Sequence, residues 1–226
     1  MEGCPRLMGW CKMGGYIHSS QSRHLSFPPF PLLSQLSITG CQNLIHMPTF
    51  PKLDKSLELN VSPVEALNAT VNNQSLSLPA LSMLKSLCIG GHTLAVNKIP
   101  ENWMQNLTSL QNLQIEYFSR LQFQKIASWF RDNFNSLPSL QKITLQHCDD
   151  LKELPDWICN LSSLQHVTIR YFTHLASVPE GLSRLTKLQT LEIIGCPLLV
   201  KECEAQTSAT WRNIAHIPNI ILRDLI

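Results

Sequence analysis

Leucine and its aliphatic relatives recur along this chain in one short phrase. It reads L-P-S-L-Q-K-I-T-L-Q-H-C at 137–148, L-S-S-L-Q-H-V-T-I-R-Y-F at 161–172 and L-T-K-L-Q-T-L-E-I-I-G-C at 185–196, a constant spacing of 24 residues. We number the heart of the phrase, L-x-x-L-x-L-x-x-C, from one to nine. Its fourth and sixth positions share one face of a strand, because strand side chains alternate. Leu113/Ile115, Ile143/Leu145, Val167/Ile169 and Leu191/Ile193 are therefore expected to point inward together. Consecutive strands then stack as a parallel sheet about 4.8 Å apart. The return path carries Leu151, Leu154 and Ile158 in one copy and Leu175, Val178 and Leu182 in the next. Pro155 and Pro179 fix an extended bend there, ahead of a loose turn.

The same phrase is present earlier in weaker form. L-S-Q-L-S-I-T-G-C begins at Leu33, and Leu53, Leu57 and Leu59 make a degenerate copy one residue out of register. Asn60–Ser77 is rich in Asn and Ser and has no clear period. Leu84, Leu87 and Ile89 resume the pattern, followed by Leu110, Leu113 and Ile115. Extra residues between Ser119 and Ser136 place Ile126, Trp129, Phe130 and Phe134 at helical spacing, which predicts a short amphipathic helix on the outer face.

A period near 24 with this phrase is the leucine-rich-repeat signature. The expected fold is an α/β repeat solenoid. It is a leucine-rich-repeat horseshoe with a parallel β-sheet on the concave face and irregular loops or short helices on the convex face. Residues 1–29 read as a truncated repeat remnant and loop, 30–80 as irregular repeats, 81–200 as regular repeats and 201–226 as a C-terminal cap. Met1–Trp10 has the look of a repeat's tail without its strand. After Cys196 the repeat is expected to break off, with Trp211, Ile214, Ile217 and Ile220 forming an apolar lid. One copy cannot bury its leucines alone, so stability belongs to the stack.

Composition adds exclusions. The 226 residues are 44% hydrophobic and 15% charged, with net charge +2 and no Lys/Arg run, so no nucleic-acid footprint is seen. There is no apolar run of about 18 residues to span a bilayer and no basic-then-apolar secretion signal. Of eight cysteines, Cys41, Cys148 and Cys196 hold the ninth position, and Cys4 is expected to do the same. A thiol there packs as a small apolar group. No C-x-x-C occurs, so reduced thiols in a cytoplasmic protein are the expectation.

Catalytic motifs are scarce. The phosphate-loop, H-E-x-x-H and G-x-S-x-G patterns are missing. S-x-x-K occurs at Ser82–Lys85 and Ser139–Lys142, but both lie inside the repeat phrase. In His147-Cys148-Asp149 the thiol is expected to be buried while the imidazole faces out. Asp149, Asp150, Glu153 and Asp156 read as a solvated acidic turn rather than a metal site. No enzyme activity, cofactor or metal is expected. Of the Asn-x-Ser/Thr triplets, Asn106 and Asn160 arise from the repeat phrase itself.

Longer phrases carry a resemblance. G-C-x-x-L-x-x-x-P at Gly40–Pro48, C-D-D-L-K-E-L-P-D-W-I-C-N-L-S-S-L-Q at 148–165 and V-P-E-G-L-S-R-L-T-K-L-Q-T-L-E-I-I-G-C-P-L-L at 178–199 resemble the leucine-rich-repeat region of plant nucleotide-binding disease-resistance proteins. C-P-L-L-V-K-E-C-E at 196–204 with W-x-x-I-A-H-I-P-N-I at 211–220 is similar to the C-terminal close of the coiled-coil class. The resemblance implies a recognition module of innate immunity, a C-terminal fragment of such a protein that does not signal alone. The protein partners it implies are a pathogen effector, a guarded host protein, or a nucleotide-binding resistance module that the repeats clamp. ATP or ADP binding does not carry over, since the phosphate loop is missing.

Partner-facing residues are given by the strand geometry. The third, fifth and seventh positions face the concave side, with the eighth at its edge. These rows supply Lys142 and His166 (third), Gln114, Thr144, Thr168 and Glu192 (fifth), Glu116, Gln146 and Arg170 (seventh), and Tyr117, His147 and Tyr171 (eighth). Aromatic and Arg groups most often anchor interfaces, which singles out Tyr117, His147, Arg170 and Tyr171.

Overall fold

The computed structural model describes residues 2–4, 6–7, 30, 32–45, 47, 50, 52–62, 81–91, 106–118, 137–148 and 151–224. Within these, eight five-residue strands run in one sheet: β1 (Gln35–Thr39), β2 (Ser56–Asn60), β3 (Ser86–Gly90), β4 (Asn112–Glu116), β5 (Lys142–Gln146), β6 (His166–Arg170), β7 (Thr190–Ile194) and β8 (Asn219–Arg223). They lie side by side in chain order and every neighbouring pair is parallel. The result is the leucine-rich-repeat solenoid that the period implies. A parallel sheet is ordinarily covered on both faces. Among the described residues the return paths lie behind one face, and the other face is open.

Registry keeps like with like. Leu113, Ile143, Val167 and Leu191 are paired across successive strands, as are Ile115, Leu145, Ile169 and Ile193. All eight are buried. A one-residue slip would expose the whole row, so the hydrophobic pattern itself pins the register. The degenerate second copy obeys the same rule. Its Leu57 and Leu59 pair in step with Leu36 and Ile38. The extra residue is taken up just before the strand. At the β1–β2, β3–β4, β4–β5, β5–β6 and β6–β7 junctions one carbonyl accepts two amides of the next repeat, as Gln111 does from Gln141 and Lys142. At β2 the task is divided, Asp54 accepting from Lys85 and Lys55 from Ser86.

On the convex side Leu154, Ile158, Leu175, Val178 and Leu182 are buried, and Trp157 joins them. Pro155 and Pro179 are extended, at φ −74° and −65°, but neither precedes a loose turn. Each proline leads into a 3₁₀ helix, Asp156–Asn160 and Glu180–Arg184. Proline's fixed φ suits the residue ahead of a helical turn. The expected helix between Ser119 and Ser136 lies outside the described residues, as do Asp149, Asp150 and most of the Asn/Ser-rich stretch.

The chain after Cys196 needs a correction. Helices α1 (Pro197–Glu204) and α2 (Ala209–Ile214) come next, the second capped by the Ser208 hydroxyl, which accepts from Trp211 N at 2.9 Å. Then β8 resumes the sheet, Ile220 opposite Leu191 and Leu222 opposite Ile193. The phrase is present after all as I-P-N-I-I-L at 217–222, with isoleucine where leucine is usual. Ile214 and Ile217 are buried, while Trp211 and Ile220 pack against the core only in part.

Candidate protein-recognition face

At the end of each strand the chain must turn from the sheet into the core. The eighth residue makes that turn by adopting a positive φ: Gly40 (69°), Val61 (51°), Gly91 (112°), Tyr117 (57°), His147 (54°), Tyr171 (60°) and Gly195 (61°). Its amide donates to the seventh carbonyl of the following strand, as Tyr117 does to Gln146 (3.1 Å), His147 to Arg170 (3.1 Å) and Tyr171 to Ile194 (2.9 Å). The ninth residue then drops inside. Cys41, Cys148, Cys196, Phe118 and Phe172 are all buried. The thiols of Cys41, Cys148 and Cys196 donate back to the carbonyl two residues earlier at 3.4–3.7 Å. Ser62 does likewise at 3.0 Å, and its hydroxyl also accepts from Cys41 N at 3.1 Å. Cys4 has the same local turn, accepting from Leu7 N at 3.1 Å, yet it is exposed rather than buried. It lies beyond β1 at the sheet's edge, where Glu2 bridges to Thr39 and Gly3 N donates to Thr39 O at 2.9 Å.

A bulky residue in the left-handed region is uncommon and costs about 1–2 kcal/mol. Three adjacent repeats accept that cost at Tyr117, His147 and Tyr171. The return is a stack. The Tyr117 and His147 rings lie 4.5 Å apart and within 5° of parallel, and His147 and Tyr171 lie 4.5 Å apart within 14°. The ring spacing nearly equals the strand spacing of about 4.8 Å, so the sheet itself sets the pitch of the ladder. Tyr117 is 41% and Tyr171 38% exposed. Beside it, Arg170 Nη2 donates to Glu192 Oε2 at 2.9 Å, while the buried Arg170 Nε–H has no acceptor among the described residues.

The remaining expected residues divide by exposure. Lys142 is exposed, and Gln114, Gln146, His166 and Glu192 are half-buried on the open face. Glu116, Thr144 and Thr168 are buried and offer a partner almost no area, contrary to the expectation of a displayed row. The two threonines are short and occupy mid-sheet places between Gln114 and Glu192 in the fifth row. Glu116 is taken up by a hydrogen bond from Gln114 Nε2. Sequence reasoning found the members of the ladder but not their stacking. The signal was present: three planar side chains at one position of consecutive repeats.

Residues 94–172 match the family model of R13L1/DRL21 LRRs. That family is a leucine-rich-repeat region of plant disease-resistance proteins, and the matched segment is similar to it. The match covers about a third of the chain and contains the whole Tyr117–His147–Tyr171 ladder. A search of the curated proteins finds no match. Such repeat regions are protein-interaction folds, which accords with an open sheet face carrying aromatic and guanidinium groups. Among the described residues, no helix is long and apolar enough to cross a membrane.

Proposed function

We propose that this leucine-rich-repeat region is a protein-recognition module of plant innate immunity, acting in the cytoplasm by binding a pathogen effector or a guarded host protein on its open face. The aromatic ladder supports this reading. None of the three side chains belongs to the buried core, and Tyr117 and Tyr171 leave 41% and 38% of their surface on display. Together with Arg170 they form an amphipathic, rigid edge of the sort that anchors interfaces. The module recognises rather than catalyses.

The test uses the full chain and a variant carrying Arg170→Glu and Tyr171→Ala, each immobilised and exposed to extracts of pathogen-challenged plant tissue. The wild type retains a partner that the variant loses, with unchanged far-UV circular dichroism. Equal retention by both would place binding elsewhere. Co-expression with a nucleotide-binding resistance module separates the clamp alternative: an association that survives charge reversal across the open face favours a scaffold.

A further inference from the structure

Away from the ladder, the open face over β1–β3 sinks into a hollow of about 460 Å³. Its polar lining is Gln35, Ser37, Ser56, Glu58, Ser86 and Cys88. The third-row residues of β2 and β3 are serines, where β5 and β6 carry Lys142 and His166, and that loss of bulk makes the depression.

Glu58 lies in this hollow with its carboxylate held from both sides. Ser37 Oγ donates to Oε2 at 2.9 Å and Asn60 Nδ2 to Oε1 at 2.8 Å. Each carboxylate oxygen can accept more than one hydrogen bond, so one acceptor site remains on each. Those sites match the paired N–H groups of a guanidinium. The Ser56 and Ser86 hydroxyls line the same space and supply further acceptors.

The surrounding field is negative. The third, fifth and seventh positions of β1–β4 include two carboxylates, Glu58 and Glu116, and no Lys, Arg or His. Cys88 is paired opposite Glu58, and Glu116 opposite Gly90 on the far side; burial, then Glu116 and Glu58, push the Cys88 thiol up to about 12. Lys55 and Lys85 precede the strands, are exposed, and do not line the hollow.

We infer that the hollow over Glu58 is a socket for one arginine side chain of the protein partner, its guanidinium held in a fork by the Glu58 carboxylate. The inference rests on the recognition reading above, and adds a second anchor three to five strands from Arg170 and one to three strands from Tyr117, the nearest member of the ladder.

The probe is the pentapeptide acetyl-Gly-Gly-Arg-Gly-Gly-amide, titrated into the ¹⁵N-labelled full chain. Saturable shifts of the Glu58, Ser86 and Cys88 amides are expected. Glu58→Gln weakens binding about tenfold or more, since it removes the charge from the fork. Ser86→Lys, which copies the third-row lysine of β5, abolishes binding by filling the socket with an internal cation. It leaves the carboxylate in place, so it guards against a folding artefact in Glu58→Gln. The matching peptide with citrulline, planar but uncharged, does not saturate, and a lysine peptide binds more weakly. Equal binding of the citrulline or lysine peptide, or no effect of either substitution, overturns the assignment. Loss of partner capture in the Arg170/Tyr171 variant beside a failed peptide titration sinks the socket alone. A positive titration without partner capture sinks only the recognition reading.

Discussion

The imidazole of His147 lies 14° from parallel to the Tyr171 ring at 4.5 Å, although the two residues belong to different repeats. Both backbones are left-handed, at φ 54° and 60°. Ring contact and backbone strain are two sides of one arrangement. The turn that carries the ninth residue into the core also fixes the eighth side chains at the strand pitch, one above another.

Substitution at His147 separates the two effects. Alanine removes both ring contacts, worth about 0.5–1.5 kcal/mol each, and keeps the left-handed strain. Glycine removes the same contacts and relieves about 1–2 kcal/mol of strain. His147→Ala is expected to lower stability by about 1–3 kcal/mol in urea unfolding, and His147→Gly by less. If glycine proved the more damaging, the backbone at this position would not be strained.

Glycines in the eighth row are not equivalent. A Cβ on Gly91 would lie 2.7 Å from Val61 N, and its φ of 112° is outside the region open to other residues. At Gly40 the nearest atoms are 3.4 Å away and φ is 69°. Gly91→Ala should cost about 2–4 kcal/mol through strain and backbone displacement, and Gly40→Ala about 1 kcal/mol. Thermal unfolding of the pair ranks them, and an equal loss would contradict the close approach of β2 and β3.

Thiols shielded in whole or in part by the fold set an alkaline limit. Burial, with nearby acidic side chains, pushes Cys88 up to about 12, and burial foremost lifts Cys159 and Cys203 to about 11. The unfolded thiols titrate near their ordinary value of 9.0. Between that value and the folded ones the folded chain binds more protons, so stability falls as pH rises through this window. The urea midpoint is expected to be flat near pH 8 and to decline from pH 9 to 11 on the thiols' account. Reaction depends on the thiolate and its access, so iodoacetamide at pH 8.5 should modify exposed Cys4 well before buried Cys203. Equal rates would show that the interior opens readily.

Alternation along β5 gives a direct test of the solenoid. Leu145 is fully buried and Gln146, the next residue, faces the open side. Leu145→Ala should cost about 2–5 kcal/mol, and Gln146→Ala less than about 0.5 kcal/mol.

Arg170 and Glu192 form a half-exposed pair, at 38% and 21% side-chain exposure. Such pairs contribute about 1 kcal/mol or less to stability. Arg170→Ala should leave the unfolding midpoint almost unchanged while weakening partner capture. A large loss of stability would make Arg170 a structural residue instead.

Much of this architecture was legible in the residues alone, because each repeat states its own rules locally. Leucine at the fourth and sixth positions, a thiol or phenyl group at the ninth and the spacing of 24 residues specify strand, turn and stacking direction. The same reading lost β8, where isoleucines replaced leucines and two helices intervened. It also put Glu116, Thr144 and Thr168 on display, because alternation tells which face a side chain takes but not how far its neighbours cover it.

What the sequence by itself determined was the period, and with it the solenoid and the membership of each row. Only the tertiary structure decided how the rows meet. Tyr117, His147 and Tyr171 are 24 to 30 residues apart in the chain and touch only because parallel strands bring equal positions to a common pitch. Glu58 takes one donor, Asn60, from its own strand, but gains the other, Ser37, and its hollow from neighbouring strands whose order and register no single repeat contains.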